Sequence, residues 1–201
     1  MENQELFVKK QKKWHNRYYG KYNLKKSLKK YLTKSRSCLD FGCGFGNLSH
    51  LLAKDYQELD VYGFDINKNQ INYGKKQFKQ KNIHLISKIP FKKFDTILTF
   101  NVLHEIKNVD KTLALFINHL NKHGFLIIYD FRKVSKESFK PWYEKKRIID
   151  EYKKSFEEEY LIHNRFTEKE FKEKMKTLNI KTLQCKKTGD YWFWYVGKKT
   201  N

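Results

Sequence analysis

The chain has 201 residues, of which 39% are apolar and 16% aromatic. That suits one ordinary domain and excludes whole-chain disorder, while nine Gly and two Pro exclude a collagen-like or linker-dominated protein. Lys and Arg total 43 against 22 Asp and Glu, a net charge of +21 whose field attracts anions, nucleic acid among them. Only five of the 43 are Arg, the residue that base reading and bidentate phosphate recognition favour. A lysine excess spread over every segment also follows from composition alone, so a dedicated nucleic-acid surface and a plain bias both stay open. Three Cys without framework spacing point to a reducing compartment. No apolar signal segment opens the chain, and no apolar run approaches the roughly 18 residues of a spanning helix. The expectation is a soluble, cytoplasmic protein with no membrane insertion.

In chain order, residues 1–34 read as a helical arm, with a stripe of Leu24, Leu28, Tyr31 and Leu32 and lysines 25, 26, 29 and 30 on its other faces. Short apolar runs at Cys38–Phe41, Val61–Phe64, Ile83–Ile86, Thr96–Phe100 and Phe125–Asp130 have the length of buried parallel strands. Helical spacing lies between them. Ile71 and Phe78 share a face of Asn67–Gln80, with Asn67 as its cap. Leu113, Phe116, Ile117 and Leu120 form a second stripe, with Asp110 expected as N-cap and Gly124 just past the end. Residues 132–166, holding Pro141-Trp142-Tyr143 and a stripe of Ile149, Tyr152, Phe156 and Tyr160, read as an insertion. Thr167 and Glu170 form a capping box before Phe171, Met175 and Leu178. Lys181–Lys187 and Tyr191–Val196 read as a hairpin turning at Lys187–Asp190. Strand and helix in alternation predict a Rossmann-like α/β fold with helices on both faces of a sheet. The simplest organisation is one domain, 1–201, with its core at 37–131 and its C-terminal helix and hairpin at 167–201.

The chemistry centres on Asp40-Phe41-Gly42-Cys43-Gly44-Phe45-Gly46-Asn47, a strand running into three alternate glycines and a helix. Glycine permits a sharp turn and close ligand approach, and the helix start supplies unpaired N–H groups. The dinucleotide fingerprint would place its third glycine at position 47, where Asn47 stands, and no Gly-Lys-Ser/Thr follows, so neither NAD nor ATP fits.

Asp-x-Gly-x-Gly-x-Gly resembles motif I of the Rossmann-like (class I) S-adenosylmethionine-dependent methyltransferases. Phe64-Asp65-Ile66-Asn67, Ile89-Pro90-Phe91 before Phe94-Asp95, Asn101–Ile106 and Gly124–Asp130 resemble that family's later segments in order and spacing, the Asn101 segment matching its small-molecule branch. The resemblance implies a mostly parallel seven-stranded sheet with an antiparallel C-terminal hairpin edge. It implies S-adenosyl-L-methionine as cofactor, held by Asp40, Gly42, Cys43, Gly44, Gly46, Asp65, Ile66, Asn101 and Val102. In that scheme Asp65 takes the ribose hydroxyls, Asp40 attracts the α-ammonium, Ile66 covers the adenine, and Asn101 and Val102 contribute backbone atoms. Many relatives carry an acid for the adenine amino group where this chain has Ser87, which serves there or is a plain loop serine.

His104 is the candidate base, its alternative being a helix-start histidine bonded to backbone, and Glu105 is a weaker one. Tyr18, Tyr19, Trp142 and Tyr143 are candidates to cover the acceptor. No Asn/Asp-Pro-Pro-Phe/Tyr and no Pro-Cys occurs, which removes the usual nucleic-acid base chemistries. No metal site is expected, His119 and His123 at i, i+4 on a helix lacking further ligands. Three functions remain: methylation of a small molecule by in-line displacement, an RNA (tRNA or rRNA) or protein methyltransferase docking through its lysines, and a non-catalytic cofactor-binding partner subunit.

Overall fold

A computed structural model describes residues 8–9, 12–13, 15–17, 19, 24–150 and 154–200. Its contacts gather into two compact units, Met1–Leu98 with His119–Phe125, and Thr99–Asn118 with Leu126–Asn201. Seven strands are hydrogen-bonded in the order β3-β2-β1-β4-β5-β7-β6. They form a mostly parallel sheet whose last members are antiparallel, the Rossmann-like arrangement expected of the sequence.

In the first unit α1 (Leu24–Leu32) buries Leu28, Tyr31 and Leu32 and leaves Lys25, Lys26, Lys29 and Lys30 exposed. Strand β1 (Ser37–Phe41) lies parallel to β2 (Asp60–Phe64), which lies parallel to β3 (Ile83–Ile86). Helices α2 (Asn47–Asp55) and α3 (Lys68–Gln77) connect them. Asn67 caps α3 as its sequence position suggests, its side chain accepting from the N–H groups of Asn69 and Gln70. Strand β4 (Phe94–Phe100) follows, buried along nearly its whole length.

The second unit carries a short 3₁₀ turn (Leu103–Glu105) and α4 (Val109–His119). Asn108, not Asp110, caps α4, its Oδ1 accepting from the Lys111 N–H at 2.9 Å, and Asp110 sits in the first turn. Both residues have cap chemistry and stand two positions apart, so spacing alone did not separate them. Gly124 does not end the helix. Strand β5 runs from Leu120 to Phe131 straight out of α4, and Gly124 lies inside it. A Cβ there would meet the carbonyl oxygens of Asn121 and Asp95 at 2.9 Å, so a close backbone approach demands the glycine. His119 and His123 are therefore not on one helix, and their metal-ligand spacing does not arise.

Residues 132–166 form two helices. α5 (Lys136–Asp150) includes Pro141, and α6 (Phe156–His163) opens on a capping box of Ser155 and Glu158 that the sequence reading overlooked. Tyr152 lies outside the described residues, and of that stripe Phe156 and Tyr160 fall on α6. α7 (Glu168–Thr177) has the expected Thr167–Glu170 box and buries Phe171 and Met175. β6 (Ile180–Thr188) and β7 (Trp192–Lys199) form the hairpin, closing through Gly189 at φ 69°. Among the described residues no helix is long and apolar enough to cross a membrane.

Candidate functional site

The glycine loop occupies the end of β1 in the first unit. Gly42, Gly44 and Gly46 all have positive φ (77°, 60° and 87°), the left-handed region that L side chains rarely adopt. At Gly46 a Cβ would also stand 2.5 Å from Leu85 Cδ2, so besides the strained turn a side chain there would require Leu85 to shift. The loop is tied down from β2: the N–H groups of Gly42 and Cys43 both donate to Phe64 O, at 2.8 and 2.9 Å.

Asp65 stands one residue past β2. Its Oδ2 accepts from the Gly44 N–H and its Oδ1 from the Asn67 N–H, each at 2.8 Å. One carboxylate thus pins the loop and the entry to α3 together. Each oxygen has a second lone-pair direction, which is the capacity two ribose hydroxyls require. Ile66 beside it is 86% exposed, an apolar side chain with nothing covering it. Ser87 is also exposed. A loop with glycine at three alternate positions, a carboxylate with acceptor capacity left and an uncovered apolar residue fit an adenosyl group.

Asp40 lies deeper, 2% exposed, and its Oδ2 accepts from Ser49 Oγ at 2.6 Å. The space comes from its partner in β2, Gly63, where a Cβ would be 2.5 Å from Ser49 Oγ and 3.1 Å from Cys43 Sγ. Burial raises the Asp40 pKa to about 7, with the Asp65 charge adding to the rise and the Ser49 hydroxyl opposing it. The Cys43 thiol, also buried, is pushed up in the same way.

A second constellation belongs to the other unit. Asn101 follows β4 at φ 54° and donates its N–H to Tyr129 O at 2.8 Å, while its buried Oδ1 has no hydrogen-bond partner among the described residues. The Val102 N–H goes to Asp130 Oδ2 at 2.9 Å. Asp130, 2% exposed at the end of β5, accepts four hydrogen bonds, from the N–H groups of Val102, Leu103 and Phe131 and from His104 Nδ1 at 2.7 Å. His104 is therefore bonded to a carboxylate rather than to backbone. With Nδ1–H donated there, its Nε2 is left as the basic nitrogen.

The His104 ring is 6% exposed and packs among aromatics: His163 stacks on it at 4.6 Å and Phe131 meets it edge-on at 4.9 Å. His163, on α6, has Nδ1 bonded to Glu159 O at 2.8 Å, and burial lowers its pKa to about 3. Glu159 is fully buried; among the described residues its carboxyl oxygens make no hydrogen bond, with Lys154 Nζ 3.7 Å from Oε1 and His163 Nδ1 3.3 Å from Oε2. Burial raises its pKa against the pull of Lys146, Lys154 and His104. A cavity of about 10 Å³, room for about one water, is lined by Leu103, His104, Asp130 and His163 among others.

The proposed acceptor-covering aromatics fare differently from one another. Trp142 packs against His163 at 4.9 Å and Phe131 at 5.1 Å, beside His104. Tyr143 is 9% exposed and spends its hydroxyl on Lys154 O at 3.0 Å. Tyr19 is buried in the first unit and donates to Asp55 Oδ2 at 2.6 Å. Tyr18 lies outside the described residues.

Ser49, Asp130, Glu159 and His163 were given no role by sequence. Asp130 carried a usable signal: it ends an apolar strand in an acid, as Asp40 and Asp65 do near their strands. The other three carried none. No group of His, Cys, Asp and Glu able to hold a metal occurs among the described residues.

A family model described as a methyltransferase domain matches residues 32–192. No match is found among curated protein sequences. Among solved structures, a SAM-dependent methyltransferase from Aquifex aeolicus superposes with TM-score 0.65 at 21% identity, covering 88% of this chain and 89% of that one. The plantazolicin methyltransferase BpumL, in complex with a triazolic desmethylPZN analog and SAH, gives 0.63 at 16% identity, with 83% and 78% covered. A putative sarcosine dimethylglycine methyltransferase from Galdieria sulphuraria gives 0.65 at 12% identity, with 95% and 86% covered. With the glycine loop, its strand order and this family match in agreement, the chain belongs to the methyltransferase-domain family and is an S-adenosylmethionine-dependent methyltransferase.

Proposed function

We propose that the enzyme methylates a small molecule and that His104 accepts the proton released by the acceptor. The observation that carries this reading is the His104–Asp130 pair: a buried imidazole, held through Nδ1 at 2.7 Å, whose Nε2 is the remaining basic atom. Asp130 fixes the tautomer and stabilises the imidazolium that forms. A base this enclosed, beside a cavity the size of one water, suits a compact acceptor better than a folded RNA or protein. BpumL, similar in fold, was solved with a desmethylPZN analog, which is consistent with this class of acceptor.

In this scheme the loop of Gly42, Cys43, Gly44 and Gly46 receives the cofactor, Asp65 accepts from its ribose, Ile66 lies against its adenine, and Asp40, raised to about 7 without a cation beside it, ionises to pair with its α-ammonium. When bound, S-adenosylmethionine supplies an electrophilic methyl group open to in-line displacement. The protein's part is to hold the acceptor and take its proton. The chain works as one domain in this reading, with residues 132–166 on the acceptor side through Trp142.

The test is incubation with labelled cofactor and, separately, a metabolite extract, total RNA and a protein extract. Label is expected in the metabolite fraction; label confined to RNA or protein rejects the small-molecule assignment. With an acceptor in hand, His104→Asn is expected to lower turnover by about 100-fold or more, with adenosylhomocysteine affinity unchanged. Near-normal turnover removes the base role.

A further inference from the structure

Arginine is scarce in this chain, five of 43 basic residues, so where one is placed is informative. Arg165 lies half-buried just after α6. Its Nη1 donates to Ile106 O and its Nε to Ile162 O, which fixes the plane of the guanidinium. Burial lowers its pKa, and the opposing charge is Asp130. Yet Asp130 already accepts four hydrogen bonds, and Arg165 makes no ion pair with a carboxylate among the described residues. A half-buried guanidinium oriented by two backbone carbonyls, with no carboxylate paired to it among the described residues, keeps its charge and further N–H donors for an anion.

The same side chain lines two cavities of the second unit. One is the small cavity beside His104. The other is open, about 480 Å³, and is formed with Lys107, Asn108, Asp110, Phe166 and Lys174. Three cations there face one acid, and Asp110 is already engaged by Lys174 Nζ at 2.5 Å. The start of α4, an 11-residue helix, adds its positive end to the same wall. The lysines alone would be an ordinary basic surface; the fixed fork of Arg165 is what makes the wall specific.

We infer that this outer cavity binds a compact oxyanion, a carboxylate or phosphate group carried by the methyl acceptor, with Arg165 donating through Nη2 and the second proton of Nη1, and with Lys107 and the Asp110-paired Lys174 beside it. The purpose assigned to the site rests on the proposed function, since Arg165 joins it to the cavity that holds His104. Its existence as an anion site does not.

The experiment uses the full chain, ¹⁵N-labelled, titrated at constant ionic strength with sodium phosphate and with sodium acetate against sodium chloride. Expected are saturating shifts confined to the Arg165 Nε–H and the backbone amides of residues 107–111 and 165–166. The tighter of phosphate and acetate names the anionic group, and either result supports the site. Lys107→Glu, an exposed change, is expected to weaken binding about tenfold or more, and Arg165→Lys likewise although the charge is kept. Shifts that never saturate, that spread over the lysine surface, or that Lys107→Glu leaves unchanged overturn the inference. So does a short single-stranded RNA that displaces phosphate from these resonances at lower concentration. Adenosylhomocysteine binding measured by calorimetry on the same sample separates the two claims. Cofactor bound without anion defeats this site alone, and anion bound without cofactor defeats the assigned reaction alone.

Discussion

Asp40 and His163 are both buried, one in each compact unit, yet burial drives them in opposite directions on the pH scale. Each is held in its neutral form because desolvation penalises charge. For an acid the neutral form is the protonated one, so the Asp40 pKa rises to about 7. For a base it is the deprotonated one, so the His163 pKa falls to about 3. The folded chain then binds more protons than the unfolded chain at Asp40 between about pH 4 and 7, and stability falls there as pH rises. At His163 it binds fewer between about pH 6.5 and 3, and stability falls there as pH drops. From about pH 4 to 6.5 the two slopes oppose each other at similar size. The lesson is that the glycine-loop unit favours acid and the His104 unit favours neutrality, for one physical reason.

The largest effect expected is at His163. His163→Phe keeps an aromatic ring beside His104, Phe131 and Trp142 and removes the proton site. Acid destabilisation between pH 6.5 and 3 should shrink by on the order of 4–5 kcal/mol, read from urea unfolding at closely spaced pH values. An acid limb as steep as in the parent chain would contradict a neutral, buried His163. Next is Asp40→Asn, which keeps an acceptor for Ser49 Oγ and cannot ionise. It should remove a loss of about 4 kcal/mol between pH 4 and 7, so the variant gains on the parent as pH rises. If the parent instead gains stability over that window relative to the variant, Asp40 is ionised in the fold. Smallest is Asp65→Ala, expected to weaken adenosylhomocysteine binding by about 1–3 kcal/mol in calorimetry, through lost charged hydrogen bonds. Unchanged affinity would leave Asp65 as a loop-pinning residue only.

The two units also differ in how much of them was legible beforehand. In the first, the informative partners are near in sequence: Gly44 and Asp65 are 21 positions apart, Asp40 and Ser49 nine, and Asn67 caps the helix it precedes. Loop, acid and cap are local signals. In the second, Arg165 reaches Ile106 across 59 positions. Nothing in the spacing of Glu159, His163 or Arg165 marks them as companions of His104. Their helix had a readable start at Ser155–Glu158, but the face it turns inward is set by what it packs on.

The sequence by itself determined the order of strands and helices, the glycine-rich bend after the opening strand and the acid that answers it, because these rest on backbone sterics and short-range hydrogen bonds. Tertiary structure alone decided that His104 is gripped by a carboxylate, stacked by a second histidine and flanked by an arginine without a carboxylate partner. Desolvation is the reason: whether a polar group is a base, a neutral strut or a receptor for an anion depends on who surrounds it once water has gone, and no pattern along the chain records that company.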